Sequence, residues 1–373
     1  MAELQRVVVR GTGSFLPNEP VPNDRIDDVL GPLSQAAPRV QSFVKSVGQR
    51  MLEAGGVKSR HFAVDPETHK LTHTVAGLAE PACRAALDMG GCKPQDVDLL
   101  LLSSPNFDHS TPPTTTVLQE RLGLERCAEI EVHSNCAGVG KAMQIAYDSL
   151  RVGRYRTALV VYSQLSSVYL RSCYFHQAHA TKTQAALRYI LADGAGAVLL
   201  SAVPSGNAAP QRELLGTYIE SVGGLRAPGM TAGGGVADLV GVVNPAAVFE
   251  QATHHLDQDF AAVNRDAGPL LLEGVKRMLT SLSLDPRTVD HFIWSIPTMQ
   301  LYHENAERFT TQLGVSTDRM RFRAAKTGYC GGAAVLIHFD EMARSGEIQD
   351  GQTVVLHSVE SSKWMSGGFV VRW

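Results

Sequence analysis

The sequence has no apolar run long enough to cross a membrane as a helix, and Met1 to Arg10 lack the long apolar region of a secretory leader. A soluble, cytoplasmic protein is the expectation. Neither sign of charge is in marked excess: 34 Lys and Arg stand against 37 Asp and Glu, a net charge of -3. That balance gives nucleic acid or an anionic membrane surface no electrostatic hold. The six cysteines, at 83, 92, 127, 136, 173 and 330, include no Cys-x-x-Cys pair and no metal-ligand spacing. A reduced compartment fits that usage, and no metal site is expected. The run Gly194 to Ala197 is followed by no acidic residue at the distance a dinucleotide fingerprint requires, and no phosphate-binding lysine accompanies it. No bound cofactor is expected.

What the chain does have is an ordinary globular balance, 44% hydrophobic and 19% charged over 373 residues, enough for a large core. Short apolar runs at Val7–Val9, Leu99–Leu102, Ala158–Tyr162, Val198–Leu200, Phe292–Trp294 and Val354–Leu356 alternate with helical patterns such as Thr74–Leu87. This alternation predicts an α/β protein with largely parallel, buried strands. From Pro204 to Gly241 the chain turns rich in Gly, Pro and Ala, which predicts a crossing between two halves and a mobile surface loop. Cys136-Ala-Gly-Val-Gly and Cys330-Gly-Gly-Ala-Ala each open a helical pattern with small residues. The echo suggests a duplicated unit divided into 1–203 and 204–373, with chance similarity of two small-residue turns as the alternative.

The most informative stretch is Ser134 to Gly140. Ala128 to Val132 lead into it as a half-buried strand, and Lys141 to Leu150 continue from it with apolar residues at helical spacing. Cys136 thus stands at a strand-to-helix turn, where the positive end of the helix dipole is expected to favour thiolate. The small residues around it leave room for an acyl chain and free backbone N–H groups for an oxyanion.

Taken in order, several segments resemble the thiolase superfamily and, within it, the β-ketoacyl-ACP synthase III branch. They are Gly11–Pro17 with Asn23 and Asp24, Asn135–Gly138, Val161–Gln164, Asp193–Ala197, Gly328 through Asp340 and Glu341, Gly351 with Gln352, and Val370–Trp373. The resemblance spans nearly the whole chain. It implies a five-layered αβαβα thiolase fold of two similar halves, usually a homodimer, with the cysteine at the floor of a pantetheine tunnel. The departures bear on activity. Members that decarboxylate malonyl thioesters carry a His and an Asn that stabilise the enolate; here Thr298 follows Ile296-Pro297 in the His slot, and Tyr329 takes the Asn position. A glycine loop of the family is replaced by Glu360, Ser361, Ser362 and Lys363.

Losing one oxyanion donor costs roughly a hundredfold to a thousandfold, and losing a general acid–base about a hundredfold to ten-thousandfold. Decarboxylative condensation should therefore suffer while acyl loading on Cys136 survives. The expected function is an acyltransferase that moves an acyl group from a CoA or carrier-protein thioester, through acyl-Cys136, to a small-molecule acceptor. Cys136 is the nucleophile, with Thr298 and Tyr329 as hydrogen-bond donors and Glu360 as the first candidate base. The N–H of Cys136 and one from Ser361 or Ser362 form the oxyanion site. His303 and His109 are further candidates, while His133 and His357 read as structural, as does the thiol of Cys330. Two alternatives stay open: a decarboxylative synthase with relocated acid–base residues, and a non-catalytic partner of an active homologue.

Overall fold

Val7, Val8 and Val9 are buried, and their β-branched side chains favour extended backbone, so they nucleate β1 (Arg6–Phe15). In the computed structural model, which describes residues 4–206 and 211–373 without the side chains of 47–51, this strand lies at the centre of a nine-stranded sheet. The other strands are β2 (Leu99–Ser104), β3 (Ala128–His133), β4 (Thr157–Gln164), β5 (Gly194–Val203), β6 (Glu213–Ser221), β7 (His291–Trp294), β8 (Thr353–Glu360) and β9 (Met365–Arg372). Their order is β7-β8-β9-β6-β1-β5-β4-β2-β3. Parallel pairing joins β3 to β2, β2 to β4 and β7 to β8, while every other neighbour is antiparallel. The sheet is therefore mixed, where the alternation of runs predicts largely parallel strands. Strands buried on both faces read as unbroken apolar runs whichever way their neighbours point.

The sheet bends between β1 and β6, which share a single bridged pair, Val8 with Glu213. Two helices fill the space between its two arms. The first, α2 (Gly138–Arg151), packs on β2 and β4 on one side and on β6 and β9 on the other. The second, α5 (Ala333–Ser345), lies against β1 and β5 and reaches β7. A helix covered on all sides must be apolar nearly all round, and every residue of α5 from Ala333 to Asp340 is buried. Outside the sheet, α1 (Val75–Gly90) covers β1, β5 and β4, while α3 (Phe260–Ser281) and α4 (Met299–Leu313) cover the other arm. The layering is αβαβα, with the largest core cluster around α2 and α5.

The segment from 204 to 241 departs from the expectation of crossing and loop. It holds β6, a strand paired with β9 along its length, because Leu214, Leu215 and Tyr218 supply apolar contacts to both neighbouring layers. Pro228 and residues 230–235 then form part of a cavity wall.

Candidate active site

Both middle helices begin at turns whose side chains are small for a steric reason. A Cβ on Gly140 would stand 2.7 Å from the backbone of Gly367 and Gly368, so β9 can approach the first turn of α2 only because none is there. A Cβ on Gly332 would lie 2.7 Å from the Tyr162 ring and 2.8 Å from the Cys136 carbonyl oxygen. The two helix starts are thereby pressed together, and the segment before α5 delivers Tyr329 to Cys136.

The phenol oxygen of Tyr329 is 3.2 Å from Cys136 Sγ. Its backbone is held where the Tyr329 carbonyl accepts the Ala192 N–H at 2.9 Å, and its ring end meets Ser295 Oγ at 3.4 Å. Ser295 is fixed in turn, donating to the Gly331 carbonyl at 2.6 Å. Burial, then the adjacent thiol, pushes the Tyr329 phenol well above its ordinary range, so it is a neutral donor.

The thiol does not behave as the helix dipole alone would have it. Burial is the largest influence on Cys136 and raises it; the Tyr329 hydrogen bond opposes this, and the charge of Glu360 adds to it, leaving the thiol at about 11. The expected standing thiolate is thus corrected to a protonated thiol at neutral pH. Removing the sulfur from water outweighs a dipole whose first helical residue lies two positions beyond it. A thiol in this state can act as a nucleophile only with a base to take its proton.

Glu360 is the last residue of β8 and only 4% exposed. It is a wall of the site, unlike a solvated loop carboxylate. Its Oε2 accepts the Ser134 hydroxyl at 2.7 Å and the Ala137 N–H at 3.3 Å, and its Oε1 accepts the Ser362 hydroxyl at 2.5 Å. Ser134 Oγ accepts in turn from Lys141 Nζ at 2.8 Å. No cation comes within ion-pair reach of Glu360 among the described residues.

Cys136, Tyr329 and Glu360 open on a cavity of about 1220 Å³, which Thr298, Ser361 and Ser362 also line. This exceeds the few hundred to a thousand Å³ usual for a small-molecule site. Much of the wall is apolar, from Tyr169, Ile190 and Leu191 through Met230 and Phe249 to Phe260 and Leu271. Thr298 caps α4, its Oγ accepting the Leu301 N–H at 3.3 Å, which is the reason this slot suits a threonine locally. The Ser361 carbonyl accepts the Gly229 N–H, tying the β8–β9 turn to the segment across the cavity.

His303 and His109 are exposed and do not line the cavity: His303 lies beside Tyr302 on α4, and His109 sits on the loop after β2. His133 corrects another expectation. It is exposed at the cavity edge with its ring 6.2 Å from Phe107, not packed in a core. His357 is fully buried in β8, bonded to Ser366 Oγ at 2.6 Å. Burial drives it to about 3, so it stays neutral and structural. No imidazole bonds to Cys136 or Tyr329 among the described residues. Ser134, Lys141 and Ser295 are the site residues that sequence reasoning missed. Ser134 precedes the helix start by four residues, so no helical periodicity links it to Lys141 in the sequence, and only the fold of the turn brings the two together.

Two family models match the chain, 3-oxoacyl-[acyl-carrier-protein] synthase III over residues 130–223 and its C-terminal counterpart over 279–373. A β-ketoacyl-[acyl-carrier-protein] synthase III of Rhodospirillum centenum is 28% identical over 373 residues, 99% of each chain. The chain belongs to the 3-oxoacyl-ACP synthase III family. Among solved structures, a tetronic acid condensing enzyme is similar with a TM-score of 0.78 at 26% identity, covering 98% of this chain and 100% of that one. The synthase III FabH of Pseudomonas aeruginosa PAO1 has a TM-score of 0.75 at 21% identity, over 99% and 98% of the two chains, and shares the thiolase fold. Within this synthase III-family protein, Thr298 and Tyr329, the residues expected in place of His and Asn from the sequence resemblance, line one cavity with Cys136.

Proposed function

We propose that this synthase III-family protein transfers an acyl group from a CoA or carrier-protein thioester, through acyl-Cys136, to a small-molecule hydroxyl, amine or carbon nucleophile. The observation that carries the reading is the buried carboxylate of Glu360 beside a cavity-facing thiol that, among the described residues, no imidazole contacts. A malonyl carboxylate brought to about 4 Å from Glu360 would meet a repulsion of roughly 4 kcal/mol at the effective dielectric of such a site. An uncharged acceptor meets none, and it needs a base, which a carboxylate supplies. The thioester oxygen is held by the N–H of Cys136 and one from Ser361 or Ser362, with Thr298 and Tyr329 as neutral donors nearby. The protein acts as a cytoplasmic homodimer, for which the half-buried edge strand β3 offers an unpaired rim. A pathway to a tetronate-like product is supported by the similarity to the tetronic acid condensing enzyme.

Intact-mass measurement after incubation with a panel of acyl-CoA and acyl-carrier-protein donors tests this. The wild type should gain the acyl mass and Cys136→Ala should not. No adduct with any donor, or an undiminished adduct in the variant, overturns the reading. The synthase names of the relatives favour one competitor, decarboxylative condensation with relocated acid–base groups. Enzyme-dependent release of carbon dioxide from malonyl thioester would establish that competitor.

A further inference from the structure

Glu360 poses a problem that the acyl-enzyme reading does not solve. A carboxylate removed from water is costly unless charge or strong hydrogen bonds compensate it. Its three donors are a backbone N–H and two hydroxyls, all neutral. One of them differs from the others. The Ser134 hydroxyl gives its single proton to Glu360 Oε2 and turns a lone pair to the ammonium of Lys141 at 2.8 Å. A hydroxyl polarised in this way donates more strongly than a free one. Lys141 has no ion pair of its own among the described residues and stands one turn into α2, half-buried, with Ser134 as its bonded partner.

We propose that Lys141, acting through Ser134, is a positioning residue that orients Glu360 and supplies the positive potential it needs as the base of the transfer step. The inference rests on the acyl-Cys136 reading. Two other titratable groups feel the charge of Glu360, the Cys136 thiol before α2 and the Tyr162 phenol on β4, and a third, the Tyr329 phenol before α5, lines the same cavity. Burial raises all three, so they are neutral near pH 7. Lys363, in the turn after Glu360, gives its ammonium to the Arg226 carbonyl. Lys141 is the cation in this network.

Glu360 takes the proton of the acceptor H–X as X attacks the carbonyl carbon of acyl-Cys136, forming the C–X bond. Collapse of the tetrahedral intermediate breaks the C–Sγ bond, and the electron pair returns to sulfur. The proton on Glu360 then passes to the thiolate, whose high proton affinity favours the return. Ester or amide leaves, and carboxylate and thiol are restored.

The test uses acyl-Cys136 preformed with acetyl-CoA, water as the acceptor, and loss of the adduct by intact mass followed from about pH 5 to pH 9. Glu360→Gln should slow the loss about a hundredfold. Lys141→Met should slow it about tenfold near neutral pH and displace the ascending limb of the profile to higher pH, the direction set by taking a positive charge away from an anionic base. Lys141→Arg should return the limb towards the wild-type position. Ser134→Ala, which cuts the relay and leaves the lysine, should reproduce the displaced limb and carries the test should Lys141→Met not fold. An adduct lost with one and the same pH profile in wild type and in Lys141→Met or Ser134→Ala overturns the relay alone. Failure of the wild type to form any Cys136 adduct overturns the acyl-enzyme reading and the relay with it.

Discussion

Two cysteines open the two helices of the middle layer, and they have opposite fates. Cys136, before α2, faces a cavity of about 1220 Å³ and meets the phenol of Tyr329 at 3.2 Å. Cys330, before α5, is wholly buried, its thiol donating to the Asp193 carbonyl at 3.3 Å. Burial raises both thiols, and Cys330 the further, since the charge of Asp193 adds to desolvation without a phenol to oppose it. The helix start is common to both. What separates a thiol open to a cavity from a packing residue is whether the neighbouring layer leaves room and a donor in front of the sulfur. Residue 329 carries much of that difference, because the segment before α5 sends a phenol towards the other helix and keeps its own thiol inside.

The sharpest way to test this contrast is alkylation. Iodoacetamide labelling of Cys136 in the native protein should climb about tenfold per pH unit towards a midpoint near 11, while Cys330 stays unlabelled until the protein unfolds, a difference of about a hundredfold or more at high pH. Peptide mass mapping across pH reads this directly, and equal labelling of the two thiols would break the comparison. A smaller effect is expected where the two helix starts touch. Gly332→Ala sets a methyl against the Tyr162 ring and the Cys136 carbonyl, so it should lower stability by about 2 kcal/mol and the melting temperature by a few degrees. Smallest should be Tyr329→Phe, which removes the hydrogen bond that draws the Cys136 thiol down. Alkylation at fixed pH should then slow about fivefold, the equivalent of about 1 kcal/mol for one hydrogen bond, with the Cys330 behaviour unchanged. Faster labelling would mean that the phenol shields the sulfur more than it activates it.

Much of the architecture was legible in the chain. Apolar runs at Val7, Leu99, Ala158 and Val354 became core strands, and the small-residue turns at Cys136 and Cys330 became the two central helix starts. Strand direction was not legible, because a run buried on both faces carries no record of how its neighbours point. The segment 204–241 reads as a crossing and a surface loop because its glycines and prolines obscure β6, a strand whose apolar residues make sense only between two layers. Of the candidate residues, Cys136, Thr298, Tyr329, Glu360, Ser361 and Ser362 come to one cavity, while His303 and His109 stay on the surface. An imidazole in a sequence gives no sign of which face it will occupy when several helical faces are polar.

The sequence by itself determined that the chain makes layered α/β structure and presents a cysteine at a strand-to-helix turn, since local periodicity and small-residue turns carry that information. Only the tertiary structure decided that the thiol is held as a thiol and that Glu360 is buried beside it. It alone joined Lys141 to that carboxylate through Ser134. These outcomes depend on desolvation and on contacts between Ser134 and Glu360, 226 positions apart in the chain, and such pairings form only when the two arms of the sheet close over the middle helices.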